Sequence, residues 1–232
     1  MTTSSALPKY LQISEMLIRE IAAGHLPEGT RLPPERQMAE QHGISVGTLR
    51  KALGDLEQKG LLHRIQGSGN YITVQPVTDS IYSFFRLELT QGGGLPTACV
   101  ISVDRLVKPV DLPHFGTSDE AHRIRRLRSL SGVPAALEEI WLDASYARKI
   151  DAADLLESLY LFYKGQLGLI VTQVEDRIGV APVPDWVPDK FGMSANAPAG
   201  FIERISRSQT GQPCEFSRTW FNPEKARYIN RL

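Results

Sequence analysis

The stretch GISVGTLRKALGDLEQKGLL, residues 43–62, constrains the fold more tightly than any other part of the chain. Leu49, Ala52, Leu53 and Leu56 recur at i, i+3, i+4 and i+7, which is one buried stripe along a helix. The opposite face opens with Ser45, Thr48, Arg50 and Lys51. Ser45 is placed to cap the helix at its N-terminus. The segment before it, PPERQMAEQHG, predicts another helix. Pro34 suits a first helical position, Glu35 favours the positive end of the dipole, and Gly43 ends the helix. About three residues, one of them glycine, separate the two helices, which is helix-turn-helix spacing.

The flanking segments extend the pattern. In LPKYLQISEMLIREIAAGHL, the residues Tyr10, Ile13, Leu17, Ile18 and Ile21 form an apolar stripe, with Pro8 near the start and Gly24 as C-cap. LPEGTRL reads as a turn punctuated by Pro27 and Gly29. Downstream, GLLHRIQGSGNYITV reads as a short hairpin with a glycine-rich tip. The order is that of a winged helix-turn-helix, assigned to residues 1–74. Residues 75–80, within TVQPVTDS, lack helical or strand periodicity and read as a linker.

Residues 81–232 mix strands and helices. TACVISVDRLV alternates, and HRIRRLRSLSGVPAALEEIWLD predicts two strands about Ser131 and Gly132. AADLLESLYLFYKGQLG has helical spacing at Leu155, Leu156, Leu159 and Phe162. LIVTQVEDRIGV is β-rich, and FIERISRSQTGQPCEFSRTWF predicts a hairpin about Thr210 and Gly211. The tail, NPEKARYINRL, fits a short helix or an edge strand. Together these elements predict an α+β domain with an antiparallel sheet.

Composition excludes several classes. The 42% hydrophobic and 22% charged residues suit a soluble globular chain, and 232 residues can bury a core. No apolar run approaches a membrane span, and MTTSSALPKY does not read as a secretory signal, so a cytoplasmic protein without membrane partners is expected. Cys99 and Cys214 suggest inert thiols rather than a disulfide or zinc site. No metal-ligand cluster, nucleotide loop or nucleophile-with-base spacing stands out; no catalytic residue, metal or cofactor is expected. His42 and His63 read as surface residues, and His114 and His122 lack evident partners. Net charge is zero, with 26 basic and 26 acidic residues. Residues 31–64 carry six basic against four acidic. A case for nucleic acid therefore rests on where the cations sit.

Their placement suits a duplex. In a helix-turn-helix the second helix enters the major groove by its N-terminal residues while its back packs on the domain. Arg50 can donate two bonds to guanine, Lys51 acts as a phosphate point charge, and Ser45 and Thr48 can meet phosphates or base edges. Gly47 permits close backbone approach. Arg36 is another candidate contact, Arg64 and Gln66 flank the wing, and Gly67 and Gly69 let its tip lie close to DNA. Taken alone, an amphipathic helix with two cations is also compatible with a plain solvated face.

The run LPEGTRLPPERQMAEQHGISVGTLRKALGDLEQKGLLHRIQGSGNYI resembles the winged helix-turn-helix of the GntR family of bacterial transcription regulators. The resemblance implies a homodimer on a pseudo-palindromic double-stranded operator. It also implies contacts from Arg36, Arg50, Gly67 and Gly69. Val46 stands where many members carry arginine, which removes one possible base contact. Residues 81–232 resemble the UTRA effector-binding domain of the HutC subfamily, through IRRLRSLSGVPAALEE, ESLY and CEFSRTWF. That implies an α+β fold related to chorismate lyase, and a small anionic effector held by Arg126, Arg128, Glu138, Ser158 and Tyr160. Arg126 and Arg128 share a strand face, and two guanidinium forks there suit a carboxylate or phosphate. A cross-strand salt bridge to Glu138 or Glu139 fits the same pattern. Arg123 and Arg125 face the other way. Glu215, Ser217 and Arg218 are further, weaker candidates.

The leading reading is a ligand-responsive regulator, a repressor released from its operator by the effector. The alternatives are a lyase-like enzyme in the second domain, or a DNA-binding protein whose second domain is vestigial. Fold alone does not carry activity.

Overall fold

The computed structural model describes residues 2–3, 7–73 and 80–231. The expected linker falls almost wholly on residues 74–79, outside that set; only Ser80 lies within it. The chain divides into two units, one containing Leu7–Phe85 with Gln91–Leu95, the other Arg86–Thr90 with Pro96–Leu232 and the N-terminal strand.

The first unit is built on three helices: α1 (Lys9–Ala22), α2 (Glu35–Gln41) and α3 (Val46–Gln58). Pro8 and Pro34 stand at the N-caps of α1 and α2, where a missing N–H costs nothing. Gly43, at φ +60°, ends α2, and the Ile44 amide donates back to the Ala39 carbonyl at 2.9 Å. The turn leaves Ser45 as the cap of α3, its hydroxyl accepting from the Thr48 amide at 3.1 Å. Leu49, Ala52, Leu53 and Leu56 are fully buried against Ile13, Leu17, Ile18 and Ile21 of α1 and Met38 and Ala39 of α2. The wing pairs β2 (Leu62–Ile65) with β3 (Gly69–Ile72). Residues 29–32 add to the outside of β3 through bonds of 2.9 Å between Gly29 and Ile72, Thr30 and Ile72, and Leu32 and Asn70.

The second unit is a seven-stranded antiparallel sheet. In chain order its strands are β1 (Thr2–Thr3), β5 (Pro96–Val107), β6 (Glu120–Leu130), β7 (Val133–Asp143), β8 (Val171–Pro182), β9 (Pro198–Ser208) and β10 (Pro213–Phe221). The spatial order is β1-β5-β6-β7-β10-β9-β8. β6 turns into β7 through Ser131 and Gly132, both at positive φ, the conformation a two-residue hairpin requires. One sheet face carries Val100, Ile124, Ile140 and Leu142 under the segment 150–169. The other carries Leu127, Leu137, Trp220, Trp141 and Phe216. A separate ribbon joins β4 (Leu87–Leu89) to β11 (Ala226–Tyr228), so the tail is a strand.

The helical spacing at Leu155, Leu156, Leu159 and Phe162 is only partly realised as helix. A 3-10 turn at Ala152–Asp154 gives way to extended chain, then α4 (Leu159–Phe162) and a π-helical turn at Tyr163–Leu167. Two interactions hold the break open. Leu155 is fully buried in the sheet-facing core, and the Glu157 carbonyl accepts from Arg126 and Arg128.

Candidate nucleic-acid interface and effector site

The N-terminal turn of α3 presents a polar face. Ser45, Gly47, Arg50 and Lys51 are exposed and Thr48 is half-buried, while Leu49 is fully buried behind them. The Ser45 and Thr48 hydroxyls lie 2.9 Å apart, so both are held at the helix entry. Val46 instead packs, partly buried, against the helical core. Arg50 is not idle: its Nε donates to Glu35 on α2 at 2.7 Å. The arginine side chain is nonetheless 65% exposed, so this pair is weak and readily exchanged for a stronger anion. Glu35, expected as a dipole partner for α2, thus also holds Arg50 across the turn. Arg36 is exposed at the start of α2.

On the wing, Gln66 and Gly67 are exposed at the tip, where Gly67 adopts φ +75° in open space. Arg64 is turned aside. Its Nε lies 3.0 Å from Glu57, and its Nη2 lies 4.0 Å from where a Cβ on Gly54 would stand, so it reclines over α3. Gly69 has a reason inside the protein. It adopts φ +141°, and a Cβ there would stand 3.1 Å from Nε of Arg31. His63 stacks on Tyr71, ring centroids 5.6 Å apart.

In the second unit, Arg126 and Arg128 on β6 converge on Glu138 of β7. Arg126 reaches Glu138 Oε2 through Nε at 2.9 Å and Nη2 at 2.6 Å. Arg128 reaches both oxygens of Glu138 through Nη2 at 3.1 Å. All three side chains are under 10% exposed. The cross-strand salt bridge is therefore present. Burial opposes the Glu138 charge, but the two guanidiniums outweigh it and hold the carboxyl below its usual range. Arg123 and Arg125 lie on the other face, donating to Asp104 and Glu139 at 2.8 Å.

Ser158 caps α4, accepting from the Leu161 amide at 3.4 Å. Tyr160 on α4 reaches a second polar group that sequence reasoning only grazed. Its hydroxyl lies 2.8 Å from Ser206 Oγ and donates to Glu215 Oε1 at 3.2 Å, while Tyr163 donates to Glu215 Oε2 at 2.6 Å. Burial pushes the Glu215 carboxyl up, against the hydrogen bonds of Tyr163 and Ser206. Next to it, Arg204 makes a two-point pair with Asp176 at 2.6 and 2.7 Å. Strand register supplies these partners, since Asp176 stands opposite Arg204 and Ser206 opposite Glu215. Alternation along one strand cannot show this.

Arg218 is removed from the cluster: it pairs with Asp111 at 3.0 Å and lies over the Phe216 ring on the other face. His122, expected without a partner, is buried with Nε2 2.8 Å from the Ala147 carbonyl. Cys214 is buried, and burial pushes its thiol up to about 12, which makes it unreactive. Among the described residues no helix is long and apolar enough to cross a membrane.

The model of bacterial regulatory proteins of the gntR family matches residues 9–72, and the UTRA domain model matches residues 93–227, more than half of the chain. The chain belongs to the GntR family. It is a transcription regulator of the HutC type, a winged helix-turn-helix joined to a UTRA domain. It is 54% identical over 230 residues to the HTH-type transcriptional regulator SmoD of Agrobacterium fabrum, covering 99% of this chain and 98% of that one. It is 24% identical to the repressor NagR of Bacillus subtilis, over 98% of this chain and 96% of that one. It is 25% identical to the mannosyl-D-glycerate transport/metabolism system repressor MngR of Escherichia coli, over 95% of this chain and 94% of that one. These relatives are transcription regulators, not enzymes, so the lyase alternative has no support. The ligand-binding domain of a GntR-family regulator from Bordetella bronchiseptica shares the fold, with a TM-score of 0.55 at 19% identity, over 65% of this chain and 98% of that one.

Proposed function

We propose that this GntR-family regulator is a cytoplasmic homodimeric repressor. It holds a pseudo-palindromic operator through two α3 faces and releases it when a small anionic metabolite enters the Arg126–Arg128 cluster. On this reading residues 1–74 form the reading head, 75–80 the linker and 81–232 the effector domain. Ser45, Thr48, Arg50 and Lys51 meet the major groove, Arg36 meets the flanking backbone, and Arg64, Gln66, Gly67 and Gly69 form the wing's approach. Ser158, next to the Glu157 carbonyl that both arginines hold, and Tyr160, through the neighbouring Ser206–Glu215 group, complete the effector site on this reading. The MngR name links one relative's repression to a carboxylate-bearing sugar derivative, which fits the same chemistry.

The carrying observation is the donor inventory of Arg126. A guanidinium has five N–H donors. Nε and Nη2 of Arg126 engage Glu138 and Nη1 engages the Glu157 carbonyl, which leaves donors over for a further acceptor. An anion arriving there gains a buried, pre-oriented fork. Glu138, displaced in part, becomes an acceptor for a ligand hydroxyl. Release requires that the anion bind one arrangement of the reading heads more tightly than the other.

The test uses the full chain on a duplex selected from a random pool, with sugar phosphates, sugar acids and other carboxylates screened as releasing agents. At least one should release the wild type and raise its melting temperature. Arg126→Gln should still bind that duplex but resist release; Arg128 remains to neutralise Glu138, so the fold survives. Release of the variant at wild-type anion concentrations would place the pocket elsewhere. Failure of every anion on the wild type would remove the anionic effector.

A further inference from the structure

A cation that the helix-turn-helix reading leaves out sits on the wing. Residues 29–32 pair with β3, and Arg31 bridges to Tyr71, so its side chain leaves from the wing's own sheet. The guanidinium passes over Gly69, where a side chain would meet Nε at 3.1 Å, and Nη2 donates to the Ser68 carbonyl in the wing turn. One bond therefore aims the fork at the tip and leaves most of its five donors outward. Arg31 is exposed. Arg50 and Arg64 are paired with Glu35 and Glu57, whereas no carboxylate pairs with Arg31 among the described residues. An incoming phosphate meets no competing acid there. Beside Arg31 runs a cleft of about 600 Å³ between Pro33–Pro34 and the wing residues Gln66, Gly67 and Asn70.

We propose that Arg31 is a DNA-phosphate contact, and that this cleft receives the sugar–phosphate strand flanking the base-reading helix. The inference rests on α3 and the wing forming the DNA face. Anchored to the wing backbone at Ser68, Arg31 fixes register and reads no sequence. Gly69 is then needed less to let DNA approach than to let the Arg31 side chain cross the turn.

The experiment measures binding of the full chain to a short labelled duplex of mixed sequence across a salt series, with folding checked by circular dichroism. Arg31→Gln should flatten the slope of log K against log salt by about one and weaken binding roughly fivefold to tenfold at 0.1 M salt. Arg31→Lys keeps a point charge and should restore the slope. Arg50→Gln serves as the control on the face itself. If Arg31→Gln matches the wild type while Arg50→Gln weakens binding, Arg31 only braces the wing and the proposal fails. If Arg31→Lys loses as much as Arg31→Gln, its charge is not what DNA meets, and the proposal fails again. If neither Gln variant alters binding, the DNA face itself is wrongly assigned.

Discussion

Glu15, in the first unit, is costly to keep ionised because it is buried. It is fully buried on α1, with Ser80 Oγ donating at 2.6 Å, the Ile81 amide at 3.3 Å and Lys59 at 3.5 Å. Burial raises its pKa above the ordinary 4.5, and these partners only partly offset it. A carboxyl raised in the fold binds its proton more tightly than in the unfolded chain. Its stabilising contribution is whole below the unfolded pKa and is lost as pH rises through the folded one. Relative to Glu15→Gln, the wild type should therefore lose stability as pH climbs from the ordinary carboxylate range, until Glu15 is ionised. Urea midpoints of both proteins over a pH series check this; a difference that ignores pH would mean Glu15 titrates as in water. Residues differ in how far sequence exposes them. Ser45 and Arg50 are readable because their neighbours lie within one helix turn. Arg31 is not, because its role depends on its bridge to Tyr71, forty residues onward. Arg126, Arg128 and Glu138 fall between these cases: alternation put both arginines on one face, but only the β6–β7 register sets Arg126 opposite Glu138.

Elements whose stabilising contacts are local are the legible ones. α3 carries its own start signal and its own apolar stripe, and it starts where the pattern places it. The helical spacing of 152–168 is equally regular, yet the chain there breaks, because the Glu157 carbonyl is recruited by two buried guanidiniums from another strand. Periodicity reports which side chains face a core; it is silent on a carbonyl claimed from outside the helix. The ambiguous tail resolved as β11 for a similar reason, since its partner β4 lies far off in sequence. α3 also shows what one cap contributes. Gly47 in its first turn weakens helix propensity, so entry depends on Ser45 accepting from the Thr48 amide. Ser45→Ala should cost about 1 kcal/mol of first-unit stability, within a usual span of roughly 0.5–2 kcal/mol. Urea denaturation followed by far-ultraviolet circular dichroism measures it. An unchanged midpoint would show that the turn at Gly43 sets the helix start unaided.

At the scale of the molecule, zero net charge removes any bulk attraction to nucleic acid, so binding must come from a few placed cations and fall steeply with salt. The same division of labour governs stability, because each unit closes a core of its own. The first packs α1, α2, α3 and the wing around Leu49, Leu53 and Leu56. The second packs its sheet against the segment 150–169 on one face and against tryptophan and phenylalanine side chains on the other. Separate cores predict separate cooperative units, to which a single melting temperature does not apply. Leu53 is fully buried at the centre of the first core. Leu53→Ala removes its contacts and leaves a cavity, at a cost of about 2–5 kcal/mol. A unit of this size shifts by roughly 4–8 °C for each kcal/mol. Scanning calorimetry of the full chain should therefore show one transition fall by ten degrees or more on the order of that estimate, while the other stays where it was. A variant in which both transitions fall together would mean that the two cores melt as one, and that an effector bound to the second unit stabilises the reading head directly.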